Sequence, residues 1–183
     1  ALQESEKTGS RLERVEVSRA RAATREDWHQ RIAAAISDNA VQLQYQLLVS
    51  QSGQLELQRE ILARILDKSG VPCAAGEFLS IVKELGLILD LDRAVVTQTL
   101  AYLAQNPNCQ PLTINLSTAA VRNRGFQDWL VSEVDGIGNL NIELNEVSVL
   151  NNLDVVARFR DRINKAGPGF GVDNFGIHPS GFS

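Results

Sequence analysis

Hydrophobic positions along this chain recur with two periods, and the periods alternate. Trp28, Ile32 and Ile36 repeat every four residues, which predicts an amphipathic helix over 24–38, started by Thr24 and Asp27 and ended by Asp38-Asn39. Val41 to Gln46 switches to strict alternation and predicts a strand. A turn over Ser50–Gly53 then leads into a second extended segment, Leu55–Ile65, carrying Glu60, Leu62 and Arg64. Helical spacing returns with Phe78, Ile81, Val82 and Leu85, and again with Val96, Leu100 and Leu103, until Asn106-Pro107-Asn108 breaks the chain. Three short strand-like runs follow, each ending on polar residues: Leu112–Ser117 with Asn115, Leu140–Glu146 with Glu143, and Gly169–Gly176 with Asp173-Asn174. Two helices separate them. One is marked by Phe126, Trp129, Leu130 and Val134 and stops near Gly136 and Gly138; the other is marked by Val156, Phe159 and Ile163 and stops at Gly167-Pro168-Gly169.

Asn115 and Glu143 are 28 residues apart, and Glu143 and Asp173 are 30 apart. That is the length of a strand–helix unit, so these strands are expected to be parallel and joined by right-handed crossovers. Each polar residue falls toward the C-terminal end of its strand. An α/β barrel places its active site at that end, and a doubly wound sheet binds ligands there too, so the spacing leaves both architectures open.

An amide or carboxylate set among strand-forming residues is costly to bury without a partner. Three on successive strands, with Glu60 as a fourth, suggest a shared partner. Oxygen donors without thiolates suit a hard cation such as Mg²⁺ or Mn²⁺, which polarises phosphoryl oxygens and lowers the pKa of bound water. The alternative is that Asn115 and Glu143 cap the helices that follow them.

Composition narrows the field modestly. The 183 residues are 44% hydrophobic and 22% charged, enough for one domain with a core, and the net charge of −4 provides no overall basic field for duplex nucleic acid. Cys73 and Cys109 are too few and too far apart for a zinc or redox motif and are read as reduced structural thiols. Neither a signal peptide nor a run of ~20 apolar residues is visible, so a soluble, cytoplasmic fragment is expected, from a parent that could itself be membrane-anchored. Residues 1–27 alternate Arg11, Arg14, Arg19, Arg21 and Arg25 with Glu4, Glu6, Glu13, Glu16 and Glu26; they read as a charged helical connector from a preceding domain, with a disordered tail as the alternative for residues 1–10.

Six motifs add a family resemblance. Tyr45-Gln46, Glu60-Ile61-Leu62-Ala63-Arg64, Phe78 with Gly86-Leu87-Ile88, Asn115-Leu116-Ser117, Glu143-Leu144-Asn145-Glu146 and Asp173-Asn174-Phe175-Gly176 stand in the order and spacing of EAL domains. The family comprises cyclic di-GMP phosphodiesterases and their inactive receptor relatives. The resemblance covers residues 28–183 and implies an α/β fold, a TIM-like (β/α) barrel truncated after about five strands. Residues 1–20 resemble, more weakly, the exit from a GGDEF domain. By resemblance Glu60, Asn115, Glu143 and Asp173 match metal ligands, Arg64 an arginine that contacts the dinucleotide's phosphate, Gln46 a ligand-contacting glutamine, and Leu62 a residue lining the base pocket. A bidentate guanidinium suits the phosphate task.

The departures from the pattern carry as much weight. Active members have two adjacent aspartates where this chain has Asp173-Asn174, and an amide at the second position has no charge to offset a second dication. The loop Ile177–Phe182 lacks the Thr, Gly, Tyr and Ser pattern that couples metal binding to dimerisation in active members, and its His178 is read as solvent-facing rather than as a metal ligand. Leu47 replaces the usual proline after Tyr-Gln, and Ile61 replaces the alanine of the signature. The later strands, with the lysine and glutamates that activate water, have no counterpart. The natural protein is therefore expected to continue past Ser183, or else to pair with another chain across the gap. The resulting expectation is a cyclic di-GMP receptor or regulatory module with Mg²⁺ or Mn²⁺ weak or absent, capable of a homodimer and of contacts with other domains of its own chain. The alternatives are a working Mg²⁺- or Mn²⁺-dependent phosphodiesterase giving linear pGpG, and a protein-interaction scaffold that has lost the nucleotide.

Overall fold

The computed structural model describes residues 25–49 and 56–173. The connector over 1–27 therefore lies outside the described residues except for its last three, which open the same helix as Trp28. The Ser50–Gly53 turn, Asn174 and the loop bearing His178 also lie outside them.

The described chain is an α/β layer structure. Helix α1 (Arg25–Ser37) leads into an antiparallel hairpin of β1 (Gln42–Val49) and β2 (Glu56–Leu66). A short strand β3 (Pro72–Ala74) pairs antiparallel with the end of β2. Helices α2 (Ala75–Glu84) and α3 (Ile88–Gln105) precede β4 (Leu112–Asn115), which pairs parallel with β2. Helices α4 (Thr118–Arg122) and α5 (Arg124–Glu133) then lead to β5 (Leu140–Asn145), and α6 (Glu146–Leu150) and α7 (Leu153–Ala166) lead to β6 (Gly169–Asp173). The pairing order is β1-β2-β4-β5-β6, with β4, β5 and β6 parallel as their spacing predicts.

Alternation along the strands sorts the two faces. Leu112 and Ile114 of β4, and Leu140, Ile142 and Leu144 of β5, turn toward the helices and are almost wholly buried. They meet Phe78 and Val82 of α2, Val95 and Val96 of α3, Phe126 and Leu130 of α5, and Phe159 and Ile163 of α7 in one core. Phe159 meets Phe170 of β6 edge-on at 6.2 Å between ring centroids, which ties the last described strand to its crossover helix. The opposite face carries Gln58, Glu60, Leu62 and Arg64 on β2, Thr113 and Asn115 on β4, Asn141 and Glu143 on β5, and Gly169, Gly171 and Asp173 on β6. Among the described residues, no helix is long and apolar enough to cross a membrane.

Two predicted strands end earlier than their apolar runs suggest. The first stops at Asn115, because Ser117 serves as N-cap of α4 and its hydroxyl accepts from Ala120 N–H at 3.2 Å. The second stops at Asn145, whose amide oxygen accepts from Val147 N–H at 3.0 Å and starts α6. Glu146 is consequently the first residue of a helix and is buried there.

Candidate functional site

Strand register assembles the candidate side chains. Asn115 lies directly opposite Glu143 across β4 and β5. Glu60 lies opposite Thr113, two residues before Asn115, so Glu60 and Asn115 are diagonal neighbours on one face. Asp173 lies opposite Asn145, two residues beyond Glu143, and is the diagonal neighbour on the other side. The four residues thus form a staircase across four adjacent strands. Asn115 and Asp173 are the last residues of their strands, but Glu60 and Glu143 sit within theirs, so the set is not confined to the strand tips.

Hydrogen bonds and charge show how closely the staircase is coupled. The Asn115 side-chain amide donates to Glu60 Oε1 at 2.7 Å, and Asn115 does not cap α4, a task that Ser117 performs. Glu143 does not cap α6 either, since Asn145 does. Glu143 binds its proton more tightly than an ordinary glutamate, chiefly through burial and then through the negative charges of Glu60 and Asp173. Its side chain lies over Gly171; a Cβ there would come within 2.9 Å of Glu143 Cγ, so the absence of a side chain at 171 is what lets Glu143 lean across β6. Among the described residues, no group of three His, Cys, Asp or Glu side chains converges into a metal cage.

Below this layer lies a polar floor that the periodicity did not reveal. Asn141 donates to Gln58 Oε1 at 3.2 Å and to Thr113 Oγ1 at 3.5 Å, spanning β2, β4 and β5. Toward β1, Gln46 is opposite Glu60 and Gln44 is opposite Leu62. Arg64 donates through Nε to Gln44 Oε1 at 3.0 Å and through a terminal nitrogen to the Ala63 carbonyl at 3.0 Å. Gln46, Leu62 and Arg64 therefore share the face of Glu60.

One supporting residue has no signal in the motifs. Asp92 of α3, only 6% exposed, accepts from Ser117 Oγ at 2.5 Å and from Ser117 N–H at 3.3 Å. Burial raises its pKa to about 7, against the lowering effect of the two Ser117 bonds. In sequence Asp92 falls in the charged segment Asp90–Arg93, where a solvent-facing position is the ordinary reading.

This parallel sheet and its polar face are those of a known domain class. The family model described as EAL domain matches residues 29–183, and the chain belongs to that family. It is 23% identical over 155 residues to the cyclic di-GMP phosphodiesterase PdeA of Borreliella burgdorferi, a match covering 80% of this chain and 23% of that protein. It is 26% identical over 164 residues to the cyclic di-GMP phosphodiesterase PdeB of Shewanella oneidensis, covering 85% of this chain and 19% of that protein. The chain thus spans about a fifth to a quarter of the length of these relatives. Among solved structures, it resembles the S helix-GGDEF-EAL portion of Vibrio cholerae LapD bound to c-di-GMP, with TM-score 0.77, 24% identity, and coverage of 88% of this chain and 40% of that one. It also resembles the FimX EAL domain of Pseudomonas aeruginosa bound to c-di-GMP, with TM-score 0.76, 22% identity, and coverage of 85% and 65%. At these identities the structural likeness establishes the fold.

Proposed function

We propose that this chain is a cyclic di-GMP-binding signalling domain in which hydrolysis is weak or lost. The observation that carries this reading is the staircase of Glu60, Asn115, Glu143 and Asp173 on the same sheet face as Arg64, Gln46 and Leu62. Arg64 would pair with a phosphate, its guanidinium exchanging the neutral partner Gln44 for an anionic one. Gln46 would hydrogen-bond the ligand and Leu62 would pack against a base.

The donor set has the chemistry a hard dication prefers, being all oxygen, and Glu60 and Asp173 raise the Glu143 pKa through like charge that a cation would offset, although among the described residues the carboxylates are not drawn together into a cage. Glu60, Asn115, Glu143 and Asp173 would hold the ion, which when bound polarises a phosphoryl oxygen and lowers the pKa of water. Asn174 beside Asp173 adds no charge for a second ion, which is why binding is favoured over cleavage. A second reading, active phosphodiesterase, is supported by the names of the curated relatives.

Calorimetric titration with cyclic di-GMP, with and without Mn²⁺, tests both readings when run beside chromatography for the linear dinucleotide. Binding without product is expected. No heat at high micromolar ligand would remove both readings, and steady turnover would replace the first with the second.

A further inference from the structure

We infer that Asp92 is a positioning residue for Asn115, clamping the turn that follows β4 so that the amide is held at Glu60. This inference rests on Asn115 being one of the ligand-holding residues proposed above. The turn Asn115-Leu116-Ser117 is tethered on two sides. Toward β5, Leu116 N–H donates to the Glu143 carbonyl at 3.0 Å. Toward α3, both the hydroxyl and the N–H of Ser117 donate to a single oxygen of Asp92. Asn115 is the residue before these tethers, and its side chain is exposed, so packing does not fix its direction. What remains is backbone placement, and Asp92 supplies one of the two anchors.

Cost argues for a task beyond packing. Asp92 is buried, as are Leu91, Val95 and Val96 of the same helix, and among the described residues no cation offsets its charge. A buried carboxylate without a counter-ion is unfavourable, and an apolar residue would fill the same space more cheaply. The N-cap bond of α4 runs from Ala120 N–H to the Ser117 hydroxyl oxygen, and Asp92 is not a party to it. The carboxylate adds the orientation of that hydroxyl and a second hold on the Ser117 backbone. Partners of this kind, one step removed from the ligand-holding groups, change metal affinity by roughly 10–100-fold when lost.

The test reads the Asn115 side-chain amide by ¹⁵N NMR in the full chain, beside Mn²⁺ affinity by calorimetry. In Asp92→Ala the two Asn115 amide protons should move to the positions of a free amide, and Mn²⁺ affinity should fall at least tenfold. Asp92→Asn, whose amide oxygen still accepts from Ser117 Oγ, should retain most of both. Ser117→Ala should reproduce the amide change if Asp92→Ala does not fold. Val96→Ala, on the same helix and also buried, is the control for lost stability and should leave the Asn115 signals in place. Unmoved Asn115 signals in Asp92→Ala and Ser117→Ala would overturn the inference, as would an equal change in Val96→Ala. Failure of the wild-type chain to bind Mn²⁺ and cyclic di-GMP would instead overturn the functional reading, while the amide signals still decide the clamp.

Discussion

Asn115 and Glu60 are 55 residues apart in sequence and joined by a 2.7 Å hydrogen bond across neighbouring parallel strands. The bond places a neutral donor between two carboxylates, since Glu143 lies on the other side of Asn115. Part of the tight proton binding of Glu143 is therefore electrostatic and removable. Glu60→Gln should lower the Glu143 pKa, because it deletes one of the two negative charges that raise it. A ¹³C-detected titration of the Glu143 carboxyl measures this directly. An unchanged midpoint would mean that Glu60 contributes nothing and that burial and Asp173 set the shift.

Asp92 should leave a signature in the pH dependence of stability. Its pKa is about 7 in the folded chain, against an ordinary value of 3.8. The folded state therefore keeps a proton that the unfolded state loses, and this contribution to stability is full below pH 3.8 and lost as pH rises to about 7. At one pKa unit per ~1.4 kcal/mol, the loss is at most ~4.5 kcal/mol. Asp92→Asn removes the titration, so the difference between wild-type and variant urea-unfolding free energies should change with pH across that window and be flat above it. A constant difference would show that Asp92 titrates normally.

Much of the fold was legible because its signals are local. Apolar spacing at Phe78, Val82, Phe126, Leu130, Phe159 and Ile163 marked the core faces of helices, and each of these residues is buried. The spacing of Asn115, Glu143 and Asp173 predicted parallel strands, and strict alternation then puts all three on one face. What escaped depends on single hydrogen bonds rather than on period. Ser117 and Glu146 looked like strand continuations, but Ser117 is a helix cap and Glu146 opens the helix that Asn145, the last residue of β5, caps. Strand β3 is three residues long and starts on Pro72, too short for alternation to register. Asp92 and the Asn141–Gln58 floor are polar residues whose partners lie 25 and 83 positions away. No window along the chain contains both members of either pair.

The crossover that delivers β6 depends on a backbone position that favours glycine. Gly167 ends α7 at φ +131°, and a Cβ there would sit 3.1 Å from the Ile137 backbone nitrogen. The neighbouring Gly136 N–H donates to the Ala166 carbonyl at 2.7 Å, so the two loops cannot simply separate. Gly167→Ala should cost about 1–3 kcal/mol, seen as a lower denaturant midpoint with an unchanged slope. A cost within error of zero would mean that the α7–β6 loop readily takes another conformation.

Adding back a carboxylate tests why cleavage is weak on the proposed reading. Asn174 follows Asp173, the last described residue of β6, and adjoins the staircase in sequence. An aspartate there would add another negative charge next in sequence to a cluster whose charges already raise the Glu143 pKa. Two effects of opposite sign follow. Without metal, crowding of like charge should lower stability modestly and raise the Glu143 pKa further. With Mn²⁺, the same charge becomes favourable, so affinity should rise and any trace of phosphodiester cleavage should rise with it. Asn174→Asp should therefore be the less stable chain in chelator and gain more melting temperature on adding Mn²⁺. If the variant gains neither metal affinity nor turnover, the missing charge at 174 is not what limits the chemistry.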